Sequence, residues 1–345
     1  GRLLEKRTTK IRDSTIALAR ELGRILAPER VFTEGPALRQ GLQDGTGNRG
    51  VIGTADALVE PQSTEETAAV LAWCYENDVA IVPRGGGTGL AGGAVPSGGV
   101  VLSQARMNRV LSIDPELWRM EVESGVPTAT VHRIALATGL LFHPHPGASE
   151  QSTIGGNIAT NAGGPHAFKY GVTGSWVTGV EAVVPPGEIL VSGGPVRKDV
   201  AGLDLTHLMI GSEGTLGIVT SAWLRLTPAP EARGVVVAFY DDVRAGCQAV
   251  ATILASGIQP TALEYLDRGA LASSLGSFPF ESPADAGFAV LAEADGHSGE
   301  VARVVEELEE AMAKAALGKV LKITDRTETS SVWSWRDGVS IAVTA

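Results

Sequence analysis

Apolar residues recur at helical spacing over residues 3 to 26, with Leu3, Leu4, Ile11, Ile16, Leu18, Leu22 and Ile25 as one set, and predict a helix. The period then changes. "ALVE" near residue 57 reads as a strand, Ser63 to Glu66 forms a capping box that starts a helix, and "VAIVP" near residue 80 reads as a second strand. Together they make a β-α-β unit that ends in glycines. "GVVLS", "VLSI" and "WRMEVES" between Gly98 and Glu123 are short strands, and Pro127 opens a helix that Gly139 closes. Residues 147 to 174 follow neither period and read as loop. "GVEAVVPPGEILV" is two strands around a Pro-Pro-Gly turn, and "LGIVTSAWLRL" is one more.

The pattern resets at "TPAPEARG", residues 227–234. Beyond it come the strand "VVVAFY", a helix over 241–256, a strand near 260–266, a loop, the strand "FAVLAEA", a helix over 299–316 and the strand "VLKIT". Two β-α-β units in this order predict a ferredoxin-like sheet. The acidic run "VEELEEAMAK" reads as a solvated helix face with its own Glu310–Lys314 pair. The expected organisation is α+β, with an N-terminal helical segment over 1–54, a second domain over 55–230 and a third over 231–345.

Charge and composition narrow the chemistry. The formal net charge is -11, which disfavours a nucleic-acid partner and means that an anionic substrate needs a local cation. Cys74 and Cys247 have neither metal nor disulfide spacing and read as reduced core thiols of a cytosolic protein. No apolar run approaches the roughly 18 residues of a membrane helix; the expected location is the cytoplasm, with peripheral association with the inner membrane as the alternative. Of the 43 glycines, 25 lie between Gly85 and Gly217, as expected where backbone approaches a ligand closely.

Within that region Gly87, Gly89 and Gly92 spell G-x-G-x-x-G, with Asp114 at about the distance of a ribose-binding acid. The Rossmann turn works because its last glycine opens a helix toward the pyrophosphate. Here Gly93 to Gly99, with Pro96 among them, cannot start a helix, and Asp114 stands before Pro115 in a turn. The context therefore rejects the string. A flexible surface loop explains neither the stiff entry at Pro83 and Arg84 nor the second glycine-rich segment at 147–164. A nest of backbone N–H groups over residues 84–89 is the remaining reading.

The stretches "VPRGGGTGLAGGAVP", "HPGASEQSTIGGNIATNAGGPHAFKYG" and "RKDVAGLDLTHLMIGSEGTLGIVT" resemble the FAD-linked oxidases of the vanillyl-alcohol oxidase and p-cresol methylhydroxylase fold, strongly from Ala55 to Pro228 and weakly beyond. The likeness is to the branch of D-lactate dehydrogenases, glycolate oxidase catalytic subunits and D-2-hydroxyglutarate dehydrogenases. It implies a two-subdomain FAD-binding domain followed by an incomplete ferredoxin-like cap domain. Pro83, Arg84, Gly85, Gly86, Gly87, Thr88 and Gly89 would cradle the pyrophosphate. Gly147, Ala148, Thr153, Ile154, Gly155, Gly156, Asn157, Ala159, Thr160, Asn161 and Gly164 would line the ribityl and flavin path. Glu213 and the backbone at Ile218 would hold the adenosine side and the ring. Some branches attach FAD through a histidine where Thr88 stands, so the resemblance implies non-covalent FAD here.

The implied chemistry is oxidation of a D-2-hydroxy acid (D-lactate, glycolate or D-2-hydroxyglutarate), with electrons passed to a quinone, cytochrome or electron-transfer protein rather than NAD. In "VWSWRDGVS", Trp333, Arg336 and Ser340 match the branch's substrate stretch, and positions i and i+4 share a helix face, so Arg336 and Ser340 could meet one carboxylate. Read from spacing alone, Arg336 is an exposed helix arginine beside core tryptophans. The branch pattern continues with a lysine and an H-x-G-D-G-N-like stretch that supplies metal ligands and a base. The chain stops first, at the apolar "SIAVTA", so a missing C-terminal part is expected, and any divalent metal would be held there. His143 and His145 read as a loop wall beside the flavin rather than metal ligands, and His132, His166 and His207 as structural or flavin-adjacent. The competing expectation is a flavin-binding electron-transfer or scaffold subunit without a complete substrate site. A homodimer or a subunit of a larger complex is the expected assembly.

Overall fold

The computed structural model describes residues 15–344, apart from the side chains at 340, 341 and 344. The chain divides into two compact units. The first holds residues up to Phe142, Ala148–Ala162 and Val172–Pro228; the second holds His143–Gly147, Gly163–Gly171 and everything from Ala229 on. Two short pieces that follow the first glycine-rich loop in sequence therefore belong to the second unit.

The first unit contains two principal sheets. In one, the strands Ala57–Val59, Val100–Ser103 and Ile81–Arg84 run parallel in that order, with Val31–Phe32 antiparallel at the edge. Thr64–Glu76 is the crossover helix. Its buried Val70 and Cys74 pack with Leu22, Leu26, Val59, Val100 and Leu102. The helix starts as expected, with Ser63 accepting from the Glu66 N–H at 3.2 Å. The box is not reciprocal, however. The Glu66 carboxylate bonds the Gln62 N–H at 2.7 Å and pairs with Arg30. The helix over 15–25 keeps Leu22 in this core, with Leu26 just past its end, but leaves Ile16 exposed, against expectation; Leu3, Leu4 and Ile11 lie outside the described residues. The other sheet is antiparallel, in the order Val110–Asp114, Arg119–Glu123, Ile218–Arg225, Val177–Val184, Glu188–Gly193.

The second unit is built on a four-stranded antiparallel sheet in the order Ala262–Asp267, Phe288–Gly296, Ala232–Tyr240, Leu321–Ile323, which is the expected ferredoxin-like order. Its two central strands are buried on both faces, which is why they read as continuous apolar runs rather than alternating ones. Val236, Ala238, Val290 and Ala292 face the helices Val243–Ala255 and Ser298–Ala313. Val235, Val237, Ala289 and Leu291 face Arg268–Ser274 and Arg326–Thr344.

Two expectations need correction. Residues 147–174 are not all loop: they contain the helices Ile154–Thr160 and Ala167–Tyr170 and a 3-10 turn at Thr173–Trp176. Their shortness and three glycines hid the period. Cys74 is a buried core thiol, but Cys247 is exposed on its helix. Among the described residues no helix is long and apolar enough to cross a membrane.

Candidate functional site

The strand Ile81–Arg84 delivers the first glycine loop at its carboxyl end, the end at which open α/β sheets bind ligands. No helix follows Gly92, as the sequence requires. The amide N–H groups of residues 86–89 donate no hydrogen bond among the described residues, so successive donors remain for an anion. Arg84 lies beneath them. It is buried, its Nη1 donates to the Gln43 carbonyl at 2.7 Å, and its guanidinium occupies the space a Cβ on Gly87 would need. Burial lowers its pKa against the opposing pull of Asp44. A cation fixed under a row of free amides suits a pyrophosphate.

Two of the glycines are needed for packing within the protein. A Cβ on Gly85 would stand 2.5 Å from Thr153 Oγ1, and one on Gly86 would overlap the Gln151 carbonyl. They let the loop pack against the segment 151–156. Gly89, by contrast, has nothing within 4 Å of a Cβ, and Thr88 beside it is half-buried. Pro83 is the half-buried wall that a Cβ on Gly214 would touch, at 2.9 Å.

The second glycine segment is wired into the protein. Thr153 caps the helix Ile154–Thr160, accepting from the Gly156 N–H at 3.3 Å. The Ile154 and Gly155 N–H groups donate to the Val126 and Ser124 carbonyls, so this helix start keeps no spare donor for phosphate. Ile154, Gly155 and Asn157 are buried, and Asn157 Nδ2 donates to Thr128 Oγ1 at 2.7 Å; they shape the segment from behind. Ala148, Gly156, Ala159 and Thr160 keep exposure. Asn161, in the left-handed region at φ 49°, accepts from the Gly174 N–H, which fixes the exit of the helix. Glu213 is exposed, with φ 51°, and its N–H donates to the Ala159 carbonyl at 2.8 Å. Ile218 is buried at the start of its strand. Gly147 and Gly164 belong to the second unit, where a Cβ on Gly164 would overlap the His145 carbonyl.

The second unit holds a polar cluster that sequence reasoning missed. On the sheet face beneath Arg326–Thr344, the apolar row Ala289 and Leu291 continues into Glu293 and Asp295, whose side chains are 0% and 1% exposed. Asp295 accepts from Lys169 Nζ at 2.7 Å, Tyr170 OH at 2.9 Å and Thr261 Oγ1 at 2.6 Å. Burial alone would raise its pKa; the hydrogen bonds from Lys169, Thr261 and Tyr170 outweigh it and leave the carboxyl lowered. Burial, with Asp295 beside it, raises the Tyr170 phenol. Glu293 accepts the Trp333 indole N–H and faces His166 Nε2 at 3.3 Å, with Arg233 Nη1 at 3.9 Å. His143 stacks on Tyr170 with ring centroids 3.5 Å apart and is pushed down to about 3 by burial. The sequence signal was an apolar strand broken twice on one face, "LAEAD".

Arg336 follows Trp333 by one turn and is half-buried rather than exposed. Its Nε and Nη2 grip Glu264, and Nη1 bonds Asp337 at 3.2 Å. Trp335 is core, donating to the Ser274 carbonyl. The Ser340 side chain lies outside the described residues. A 540 Å³ groove lies on another side of this helix, lined by Ser274, Ser277, Thr327, Ser330, Ser331 and Ser334 among others, and holds no ionisable side chain. Among the described residues no three His, Cys, Asp or Glu side chains gather as metal ligands.

Two protein-family models match the chain: an FAD binding domain over residues 55–193 and the C-terminal domain of FAD-linked oxidases over 229–344. The glycolate oxidase subunit GlcD of Bacillus subtilis is 43% identical over 74% of this chain and 54% of its own length. The D-lactate dehydrogenase of Anaerostipes hadrus is 37% identical over 84% of this chain and 62% of its own. The D-2-hydroxyglutarate dehydrogenase of Xanthomonas citri pv. viticola is 44% identical over 52% and 39%. The chain thus spans just over half to three fifths of the first two relatives. The fold is that of a solved alkyldihydroxyacetonephosphate synthase, with a TM-score of 0.76 at 21% identity over 94% of this chain and 62% of that one. With the two domain matches in the order the two units follow, the chain belongs to the FAD-linked oxidases.

Proposed function

We propose that the protein oxidises a D-2-hydroxy acid to the 2-oxo acid with non-covalent FAD, and that the electrons leave to a quinone, a cytochrome or an electron-transfer protein. The relatives' names support the substrate class: glycolate, D-lactate and D-2-hydroxyglutarate share one 2-hydroxycarboxylate group. The observation that carries the reading is the ionisable face of the second unit, where Arg336 follows by one helical turn the Trp333 that bonds buried Glu293. Burying charges is costly, and such clusters concentrate at functional sites.

The 84–89 loop would hold the pyrophosphate on its free amides, with Arg84 beneath. Bound FAD supplies a two-electron acceptor for the C2 hydrogen. Arg336 binds the substrate carboxylate, which takes over the guanidinium edge that Glu264 holds here; planar, bidentate recognition suits arginine. With Thr88 in place of a nucleophilic histidine, acid should release the cofactor intact. The purified full-length protein should be yellow and should bleach anaerobically with at least one of the three hydroxy acids. The Arg336→Ala variant should keep FAD and lose this bleaching. A protein that holds FAD but is bleached by none of the acids is an electron-transfer or scaffold subunit instead. A protein that takes up no FAD refutes both readings.

A further inference from the structure

We infer that Asp44 is the resident counter-charge of Arg84 and competes with the pyrophosphate of FAD for that cation, so that one buried carboxylate sets how tightly the cofactor is held. The inference rests on the reading of the 84–89 loop as the pyrophosphate cradle. It adds to that cradle a segment that lies before the matched FAD binding domain of residues 55–193. The segment clasps the loop at both ends. At the start, the Gln43 carbonyl accepts from Arg84 Nη1 at 2.7 Å. At the far end, the Gly45 N–H donates to the Gly89 carbonyl at 2.9 Å. The fit is close: a Cβ on Gly45 would stand 2.7 Å from the Gly89 oxygen and 3.0 Å from that of Thr88. Asp44, between these two contacts, is 8% exposed, as is Arg84.

Asp44 has one oxygen in use and one left over. Its Oδ1 accepts from the Thr46 N–H at 2.8 Å and from Thr46 Oγ1 at 2.6 Å, which caps the 3-10 turn Gly45–Arg49. Its Oδ2 is buried and accepts no hydrogen bond among the described residues. A cap needs only one oxygen, which Ser or Asn would supply without charge. The second oxygen, unmatched in the interior, costs stability, and a nearby cation offsets that cost. That cation is Arg84, which makes no ion pair among the described residues but feels Asp44 electrostatically. The other buried arginine of this unit differs: both Nη atoms of Arg30 are held by the Glu66 carboxylate. Arg84 is thus compensated only from a distance, directly beneath the loop whose amides are free. A pyrophosphate on those amides and the Asp44 carboxylate are two anions sharing one guanidinium, and they repel each other. Without FAD, Asp44 keeps the buried guanidinium partly compensated. With FAD the pyrophosphate takes over, and the same carboxylate weakens the hold.

The test uses full-length protein stripped of FAD. Asp44→Asn keeps the capping oxygen and the volume but removes the charge. It should lower the melting temperature of the apoprotein by about 2–5 °C. The same variant should bind FAD about 3- to 30-fold more tightly, in a titration followed by flavin fluorescence. A residue that only caps the turn would move neither quantity, and one needed only for local structure would worsen both. Asp44→Ser, which also caps without charge, should behave in the same way. Arg84→Gln should weaken FAD binding and also destabilise the apoprotein, because it leaves Asp44 uncompensated. In Asp44→Asn/Arg84→Gln neither charge remains, so the apoprotein should lose less than the sum of the two single losses. This double variant should fold even where a single one does not. Unchanged or weaker FAD binding by Asp44→Asn, additive losses in the cycle, or a double variant that does not fold overturns the counter-charge role and leaves FAD binding standing. FAD affinity unmoved by Arg84→Gln overturns the cradle reading with it. A wild type that takes up no FAD overturns the cofactor as well.

Discussion

Lys169→Met removes the only cation hydrogen-bonded to Asp295 among the described residues. The pair is 2.7 Å apart, with side chains 28% and 1% exposed. At that separation the attraction is about 6 kcal/mol at an effective dielectric of 20 and about 1.5 kcal/mol in water. Breaking a buried pair from one side costs about 3–5 kcal/mol. Lysine's exposure and the surviving Tyr170 and Thr261 hydroxyls bring the expectation to about 3 kcal/mol. Urea unfolding at neutral pH, followed by tryptophan fluorescence, measures it. In the double variant Lys169→Met/Asp295→Asn the charge is gone, so it should be more stable than Lys169→Met alone.

The pH dependence has a fixed sign. In the wild type the Asp295 carboxyl is lowered from 3.8, so its contribution is complete above that value and is lost as pH falls through the depressed folded value. In Lys169→Met burial dominates and lifts the carboxyl above 3.8, so that variant loses stability as pH rises through the lifted value. The gap between the two proteins should be widest at neutral pH and close in acid. A neutral-pH loss below about 1 kcal/mol, or a double variant no more stable than Lys169→Met, refutes the argument.

Two further tests address the first unit and the thiols. Gly86→Ala drives a methyl into backbone, 2.8 Å from the Gln151 carbonyl carbon, and should cost about 3 kcal/mol or more in the apoprotein. Gly89→Ala meets nothing and should stay within about 0.5 kcal/mol in the same thermal-shift series; equal losses would refute the loop-packing role. Iodoacetamide should modify one thiol in the native chain, Cys247. Cys74 is 1% exposed and pushed up to about 12 by burial, so its modification before unfolding would count against this core.

What could be read from sequence tracks the range of the physics involved. The ferredoxin order was legible because the helices carry their own period, the buried central strands stand out as continuous apolar runs, and the crossovers leave few topologies. The Rossmann string could be rejected because a helix start is a local property, and residues 93–99 lack one. The glycine argument was only half legible. Close approach was inferred toward a ligand, whereas at Gly85 and Gly86 the neighbour is the chain's own segment 151–156, more than sixty residues on. The buried acids were the least legible. Glu293 and Asp295 look like solvated interruptions of an apolar strand until His166, Lys169 and Tyr170, over 120 residues upstream, fold onto the same face. Lys169, Tyr170 and Thr261 satisfy one carboxylate, whereas the neighbouring carboxylate keeps one oxygen without a hydrogen bond, facing His166. The strand thus places a saturated carboxylate and a partly satisfied one side by side, and only the difference in their partners tells them apart.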